Sequence, residues 1–190
     1  MILLLGSDAY SPFRMDALRD ALAKSDPKLA MVKIDAKWVY ALETGEEGPA
    51  AEDLERAASL LNAQLRSSPE VEPVVPEGSF FVFPRKGTIS PWSSKATDIF
   101  RNCSLKSIRR VERGVLFRTS PSIKGAALLA LHDKMTEGVY DDIRDLFDIG
   151  EPRPGRVYDV MGKGVAAIRE ANDEMGLAIK IGRASCRERV

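Results

Sequence analysis

Two short apolar stretches of the chain are each followed by a serine-proline pair that predicts the start of a helix. Ile2 to Leu5 precedes Ser11-Pro12, and Ser79 to Phe83 precedes Ser90-Pro91, so the two pairs lie 79 positions apart. A serine at this position accepts a hydrogen bond from an otherwise unpaired amide, and proline at the first helical position gives up an N–H that has no partner anyway. The spacing predicts two copies of a strand followed by a helix.

Apolar residues recur at helical spacing after both serine-proline pairs, and we expect them to form the buried stripe of each helix. The stripe of the first helix comprises Phe13, Ala17, Leu18, Ala21 and Leu22, and that of the second comprises Trp92, Ala96, Ile99 and Cys103.

A hairpin is predicted after each of these helices, because two alternating apolar segments are separated by a polar or turn-like break. The segments are 30–35 with 38–42, and 107–111 with 114–119, the latter joined by Glu112-Arg113-Gly114. Each half then continues into another helix. These helices are predicted over about Ala50 to Arg66 and, in pieces, from near Lys124 to Phe147, with Val71 to Val75 as a closing strand of the first half.

These elements predict an α+β fold, a duplicated split βαβ (ferredoxin-like) sandwich whose halves, 1–78 and 79–149, are related by a pseudo-twofold axis. One doubly wound parallel sheet is the less favoured alternative, because hairpins require antiparallel neighbours. The segment GEPRPG at 150–155 is typical of a linker, and Tyr158 to Ile179 begins a helical module, so 150–180 is expected to hold the linker and the start of a helical linker domain. Residues 181–190 resemble a translated sequencing adapter and are left out of fold reasoning.

The composition is that of an ordinary globular chain, with 44% hydrophobic residues. Its charge, its opening segment and its few cysteines argue against several classes of function. The 28 basic residues balance 28 acidic ones, which argues against a nucleic-acid partner or an acidic membrane surface. The opening apolar run has no basic residue before it and is too short for a signal peptide or a membrane helix, so we expect a cytoplasmic protein. Two cysteines and one histidine provide no spaced ligand set, and no metal site is expected.

Three features could carry chemistry, but each also has a structural interpretation. His132 beside Asp133 resembles a base with its orienting carboxylate, although a hydrogen-bonded structural histidine is favoured. The acidic run Tyr140-Asp141-Asp142 with Asp145 could bind magnesium, although a solvated face is favoured. Cys103 is interpreted as a small buried apolar residue rather than a nucleophile.

The stretch Pro84 to Ile99 is the most unusual part of the sequence. Arg85, Lys86 and Lys95 surround the predicted helix start at Ser90. Exposed amides at a helix N-terminus carry partial positive charge and can hold an anion or a carboxylate. The structural interpretation makes Ser90 a cap, Trp92 a core residue and the charges a solvated rim.

The sequence PRKGTISPWSSKATDIFRNCSL, from Pro84 to Leu105, resembles the signature near the front of the large, single-chain phosphoribosylformylglycinamidine synthases. Four further segments carry the same likeness in the same order, and together they span nearly all of 1–180. They are Met1 to Ser7 with Ser11 to Arg14, Val111 to Gly114, His132 to Glu137, and Gly164 to Ala178. The stretch from Asp26 to Pro76 matches least.

The resemblance implies a part of an enzyme that converts formylglycinamide ribonucleotide to its amidine in de novo purine biosynthesis, a ligase that uses ATP, magnesium and ammonia drawn from glutamine. In that family the front domain is similar to a pair of the small subunits that the multi-subunit form of the enzyme uses. It is followed by a helical linker, an ATP-binding synthetase core and a glutaminase domain. The ATP, magnesium and glutaminase residues would lie beyond Lys180. No catalytic residue, metal or cofactor is therefore expected on this chain itself.

The resemblance implies a scaffold whose partners are the synthetase and glutaminase domains of the same chain and, through them, small-molecule substrates, with no nucleic acid and no membrane. A strip of six polar residues is the expected face toward the synthetase domain, where it could also meet a substrate phosphate. It comprises Arg85, Thr88, Ser90, Ser93, Ser94 and Lys95. The alternative is a duplicated ferredoxin-like regulatory module that binds a small ligand, since fold alone does not decide function.

Overall fold

A computed structural model of the chain describes residues 1–64, 72–148 and 157–175. The chain divides into two units, Met1–Gly150 and Glu151–Val190. The strands of the first unit are β1 (Ile2–Asp8), β2 (Lys33–Thr44), β3 (Ser79–Pro84), β4 (Ile108–Ser120) and β5 (Glu137–Tyr140). Its α-helices are α1 (Pro12–Ser25), α2 (Ala51–Leu61) and α3 (Pro91–Asn102), and short 3-10 helices span Pro27–Leu29 and Gly125–Ala130.

The described strands of this unit form one antiparallel five-stranded sheet in the order β1-β2-β4-β3-β5. Its centre is the long pairing of β2 with β4, which runs from Lys33 opposite Ser120 to Thr44 opposite Ile108. Because the sheet is antiparallel and the helices of this unit cover one of its faces, the predicted α+β class is confirmed.

Both predicted hairpins are wrong, because β2 and β4 are each one continuous strand. The triplet Glu112-Arg113-Gly114, predicted as a turn, lies in the middle of β4 and pairs with Ala41, Tyr40 and Val39. A glycine is needed there for packing rather than for a turn, since a Cβ at Gly114 would come within 2.5 Å of the Phe83 ring.

The two predicted serine-proline helix starts are confirmed. The Ser11 hydroxyl accepts a hydrogen bond from the Arg14 amide at 3.4 Å, and the Ser90 hydroxyl accepts one from the Ser93 amide at 3.0 Å. Because these caps satisfy amides of the first turn, they fix where α1 and α3 begin.

The predicted buried stripes of these helices are wrong in part. In α1, Leu22 is fully buried, whereas Phe13 is 84% exposed. In α3, Ala96 is buried but Ile99 is half exposed, and Phe100 takes its place in the core.

Hydroxyl side chains explain the rotated stripe of α3, because they face the sheet together with the apolar residues. The Ser93 hydroxyl donates to the Val111 carbonyl at 2.5 Å, and the Thr97 hydroxyl accepts from the Val111 amide at 3.2 Å. These bonds fasten α3 to β4 and offset the cost of burying both hydroxyls.

The predicted helix from Lys124 to Phe147 is also wrong. Only the 3-10 helix Gly125–Ala130 forms there, and the chain then adds β5 to the sheet edge. Helices pack on one face of the sheet, and Ile143 and Leu146 pack on the other against a cluster that includes Phe81 and Phe83. For the predicted strand from Val71 to Val75, the structure has an isolated bridge between Val74 and Asp142, and Val71 lies outside the described residues.

The described part of the second unit contains α4 (Val160–Lys163) and α5 (Val165–Met175), in agreement with the predicted helical module. The predicted linker at 150–155 and the segment 181–190 lie outside the described residues. In the described part of the chain, the structure has no helix that combines the length and the apolar character needed to cross a membrane.

Candidate functional site

A cleft of about 540 Å³ lies beside the N-terminus of α3. Its walls come from β2, from the segment between β3 and α3, from the middle of β4 and from the residues just before β5. We call it the Arg113 cleft, and its lining includes Trp38, Arg85, Ser90, Trp92, Arg113 and Met135.

Arg113 is held between two indole rings. Its guanidinium carbon lies 4.2 Å from the ring centroid of Trp38 and 4.9 Å from that of Trp92. Trp92 in turn stacks on Tyr40, with 5.9 Å between the ring centroids. β2, β4 and α3 therefore place the Arg113 cation between the faces of two aromatic rings. The ring quadrupoles stabilise this arrangement.

Glu112, the residue of β4 that precedes Arg113, is buried, and its carboxylate points at the start of α3. The carboxylate accepts hydrogen bonds from the Ser90 hydroxyl at 2.7 Å, the Ser90 amide at 3.4 Å and the Arg110 guanidinium at 3.0 Å. Its exposed fraction is 1%. The positive end of the α3 dipole thus has an anion supplied by the protein itself, at the place where the sequence left open either an anion site or a cap with a solvated rim.

The structure brings three residues of the predicted polar strip together and separates the others. Arg85, Thr88 and Ser90 line the Arg113 cleft. Ser93 is fully buried beneath it, bonded to β4. Ser94 and Lys95 are exposed on α3 and do not line the cleft.

Arg85 and Thr88 stabilise the loop that forms one wall of the cleft. The Arg85 guanidinium donates to the Lys134 carbonyl, and the Arg85 amide donates to the Thr136 carbonyl at 3.1 Å. The Thr88 hydroxyl donates back to the Arg85 carbonyl at 2.6 Å. These bonds tie the wall to the segment that precedes β5.

Lys86 is engaged away from the Arg113 cleft. Its ammonium group pairs with the Asp145 carboxylate, donates to the Asp142 carbonyl at 3.1 Å and lies 4.8 Å from the ring centroid of Tyr140. The hydrogen bond from Lys86 lowers the pKa of Asp145, and a hydrogen bond from Arg144 lowers that of Asp142. Two carboxylates of the acidic run predicted as a solvated face, Asp142 and Asp145, are therefore paired with local cations.

His132 and Cys103 have structural surroundings. The His132 Nδ1 atom lies 2.8 Å from the Leu128 carbonyl, within one turn of the same segment. Cys103 is a free, partly buried cysteine that ends α3 and packs against a core cluster, and its carbonyl accepts from Arg56 at 2.8 Å.

Tyr40 shows how the cleft environment acts on a titratable group. Burial raises the pKa of its phenol above the ordinary value of 10.0, and the positive charge of Arg113 partly offsets that rise. The neutral phenol is the form that the folded protein favours.

Trp38, Glu112 and Arg113 organise the cleft but were not predicted as site residues from the sequence. One usable signal was present: the chain has two tryptophans, and both line this cleft. Glu112 and Arg113 were assigned to a turn on their polarity, because the contacts that stabilise them come from residues distant in sequence.

Fold and cleft together define a small α+β domain whose cleft combines aromatic, apolar and charged side chains. Within residues 1–64, 72–148 and 157–175, the structure contains no group of three or more His, Cys, Asp or Glu side chains placed to hold a metal ion.

A family model described as formylglycinamide ribonucleotide amidotransferase N-terminal matches residues 37–149, more than half of the chain. The chain belongs to this family. The match begins inside β2 and takes in α2, β3, α3, β4, β5 and every residue of the predicted polar strip. It confirms the resemblance drawn from the sequence. The family is part of an enzyme, an amidotransferase of purine biosynthesis.

Proposed function

We propose that the chain is a non-catalytic scaffold within a ligase that converts formylglycinamide ribonucleotide to its amidine with ATP and glutamine. Its partners are the synthetase and glutaminase domains of the same polypeptide, which bind ATP and magnesium and release ammonia, and the compartment is the cytoplasm. The family match over 37–149 is the observation that carries this proposal.

The scaffold holds the glutaminase in a fixed relation to the synthetase, so that ammonia passes between them without meeting bulk water. Water would protonate ammonia, and ammonium is not a nucleophile. A rigid sheet suits this role, because the long pairing of β2 with β4 and the bonds from α3 to β4 resist deformation.

The contact face toward the synthetase domain is assigned to the exposed members of the polar strip. Arg85, Thr88, Ser94 and Lys95 are all exposed, so they are available to a partner or to a substrate phosphate. Ser90 and Ser93 support this face from below. The Ser90 hydroxyl bonds the Glu112 carboxylate, and the Ser93 hydroxyl bonds the Val111 carbonyl.

The predicted duplication also fits a scaffold, with the pseudo-twofold axis between β2 and β4. The strand order β1-β2-β4-β3 and the antiparallel pairing of β2 with β4 support it, as do the equivalent caps at Ser11 and Ser90. The aromatic residues that follow the two caps differ, since Phe13 is 84% exposed and Trp92 lies against Tyr40. The two halves would then have diverged at this position.

The test is to replace Lys95 with glutamate in the complete enzyme and to measure turnover with glutamine and with free ammonia. We expect glutamine-dependent turnover to fall because the domain contact is weakened. Lys28→Glu, a charge reversal on the 3-10 helix Pro27–Leu29, is the matched control. Ser93 is unsuitable because its loss would disturb packing. If both activities of Lys95→Glu stayed at the level of the control, the strip would not be the contact face.

A further inference from the structure

We propose that the Arg113 cleft binds a small molecule that carries one carboxylate group on an apolar body. This inference does not depend on the scaffold function. It rests on Arg113 itself, on the charges around it and on exposed apolar side chains at the cleft.

The Arg113 guanidinium has stacking partners but no hydrogen-bond acceptor among the residues that the structure describes. Its neighbour Arg110 donates to the Thr88 carbonyl at 2.6 Å and to the Glu112 carboxylate at 3.0 Å, and Arg85 donates to the Lys134 carbonyl. Among the described residues, the contacts of the Arg113 guanidinium are with the rings of Trp38 and Trp92. Ring contacts use no hydrogen-bond acceptor, so the N–H groups of Arg113 stay available to another group.

The geometry of that edge selects the kind of ligand. A guanidinium presents parallel N–H groups in one plane, and a carboxylate accepts two of them at once. Because contacts with two indole rings already restrict the Arg113 side chain, little side-chain freedom is lost when a ligand binds. Lysine could not reproduce this arrangement.

The charges around the cleft favour a single negative charge. Arg85 and Arg113 contribute two positive charges to the lining, and Glu112 and Glu137 contribute two negative ones. Arg110 offsets Glu112 through their ion pair. The small positive excess matches a monoanion, whereas a phosphate dianion would be only partly compensated.

Apolar side chains of the cleft lining are placed to contact the apolar body of the ligand. Ile89 is 56% exposed and Met135 is 71% exposed, and both line the cleft together with Pro84. Exposed side chains of this size gain free energy when a ligand covers them. The volume of about 540 Å³ lies in the range of small-molecule sites.

Tryptophan fluorescence reports on this site directly, because both tryptophans of the chain line it. We would titrate the 190-residue chain with phenylacetate, with its neutral isostere phenylacetamide and with phenyl phosphate. The expected result is a saturable change with phenylacetate, at an affinity about tenfold or more above that for phenylacetamide. Equal affinity for the acid and the amide, tighter binding of phenyl phosphate, or the lack of any saturable change would overturn the proposal.

Variants then assign the effect to Arg113. Arg113→Gln should abolish the preference for the acid over the amide. Arg14→Gln is the matched control, because Arg14 also lies over an aromatic ring, that of Tyr10 at 5.3 Å, but outside the cleft, and it should keep the preference. If Arg113→Gln does not fold, as judged by circular dichroism, Arg113→Lys keeps the charge without the planar fork and should bind phenylacetate more weakly. A preference that survived in folded Arg113→Gln, or phenylacetate binding by Arg113→Lys as tight as that of the wild type, would refute the assignment.

Discussion

The Ser90 hydroxyl donates a 2.7 Å hydrogen bond to the Glu112 carboxylate and so joins the first turn of α3 to the middle of β4. The same hydroxyl accepts from the Ser93 amide at 3.0 Å. One oxygen atom therefore caps a helix and satisfies a buried charge, whereas the equivalent Ser11 caps α1 at an exposed position. Both serines precede a proline at a helix start, but Ser90 also bonds a buried carboxylate.

Replacing Ser90 with alanine should destabilise the protein more than replacing Ser11. Each change removes a cap, at a cost of about 1 kcal/mol. Ser90→Ala also takes a donor from the buried Glu112 carboxylate, which adds about 1–3 kcal/mol. Urea unfolding of the two variants measures the difference in the free energy of unfolding. Equal losses would mean that the bond from Ser90 to Glu112 contributes nothing.

Glu112 should be among the least tolerant polar positions of the sheet. Glu112→Ala leaves Arg110, whose side chain is 11% exposed, without its carboxylate partner, and breaking a buried pair in this way costs about 3–5 kcal/mol. Glu112→Gln keeps an oxygen that accepts from the Ser90 hydroxyl and should lose less. The ranking is checked by chemical denaturation of both variants. A Glu112→Ala protein as stable as the wild type would show that this pair does not support the fold.

The elements that the sequence predicted well are those set by contacts close along the chain. The starts of α1 and α3 depend on a serine and an amide three residues later, so Ser11 and Ser90 were sufficient to find them. The long central strands depend on partners far along the chain. From the sequence, Glu112 and Arg113 resemble turn residues because they are polar. In the fold, Glu112 bonds Ser90 and Arg110. Arg113 contacts Trp38 and Trp92.

The buried face of α3 was predicted wrongly because it depends on contacts with a strand that is distant in sequence. In α3, Ser93 and Thr97 look solvent-facing because they are polar, but the backbone groups of Val111 make them the buried side. A pattern of apolar residues cannot reveal a hydroxyl that bonds a neighbouring strand. The loop from Arg85 to Ser90 was identified by its unusual composition, whereas the other side of the cleft required the sheet register.

Gly114 should not accept even a methyl group. A Cβ there would lie 2.5 Å from the ring of Phe83, which is fully buried and has no room to withdraw. Gly114→Ala should therefore cost about 1–3 kcal/mol through overpacking. Gly45→Ala is the matched control, because the nearest atom to its added Cβ is the Arg109 guanidinium at 3.7 Å, an ordinary contact. Thermal unfolding of both variants tests this, and a similar midpoint for the two would contradict the packing argument.

The phenol of Tyr40 should make the protein less stable in alkali. Burial raises the pKa of Tyr40 in the folded state above the ordinary value of 10.0, with a smaller opposing effect from Arg113. Below the unfolded pKa the phenol is neutral in both states, and its full contribution to stability is present. As the pH rises through that value, the unfolded chain releases its proton first, so the free energy of unfolding falls until the folded pKa is passed.

The measurement is the free energy of unfolding of wild type and Tyr40→Phe from about pH 9 to about pH 11. All other titratable groups are common to both proteins, so the difference isolates Tyr40. The variant should lose less stability than the wild type across this window. Tyr10→Phe should show an effect of the same sign, because burial, and then Glu137, raise the pKa of Tyr10. Parallel curves for wild type and Tyr40→Phe would mean that the phenol ionises in the folded protein as readily as in the unfolded chain, so burial beside Trp92 would not hold it neutral.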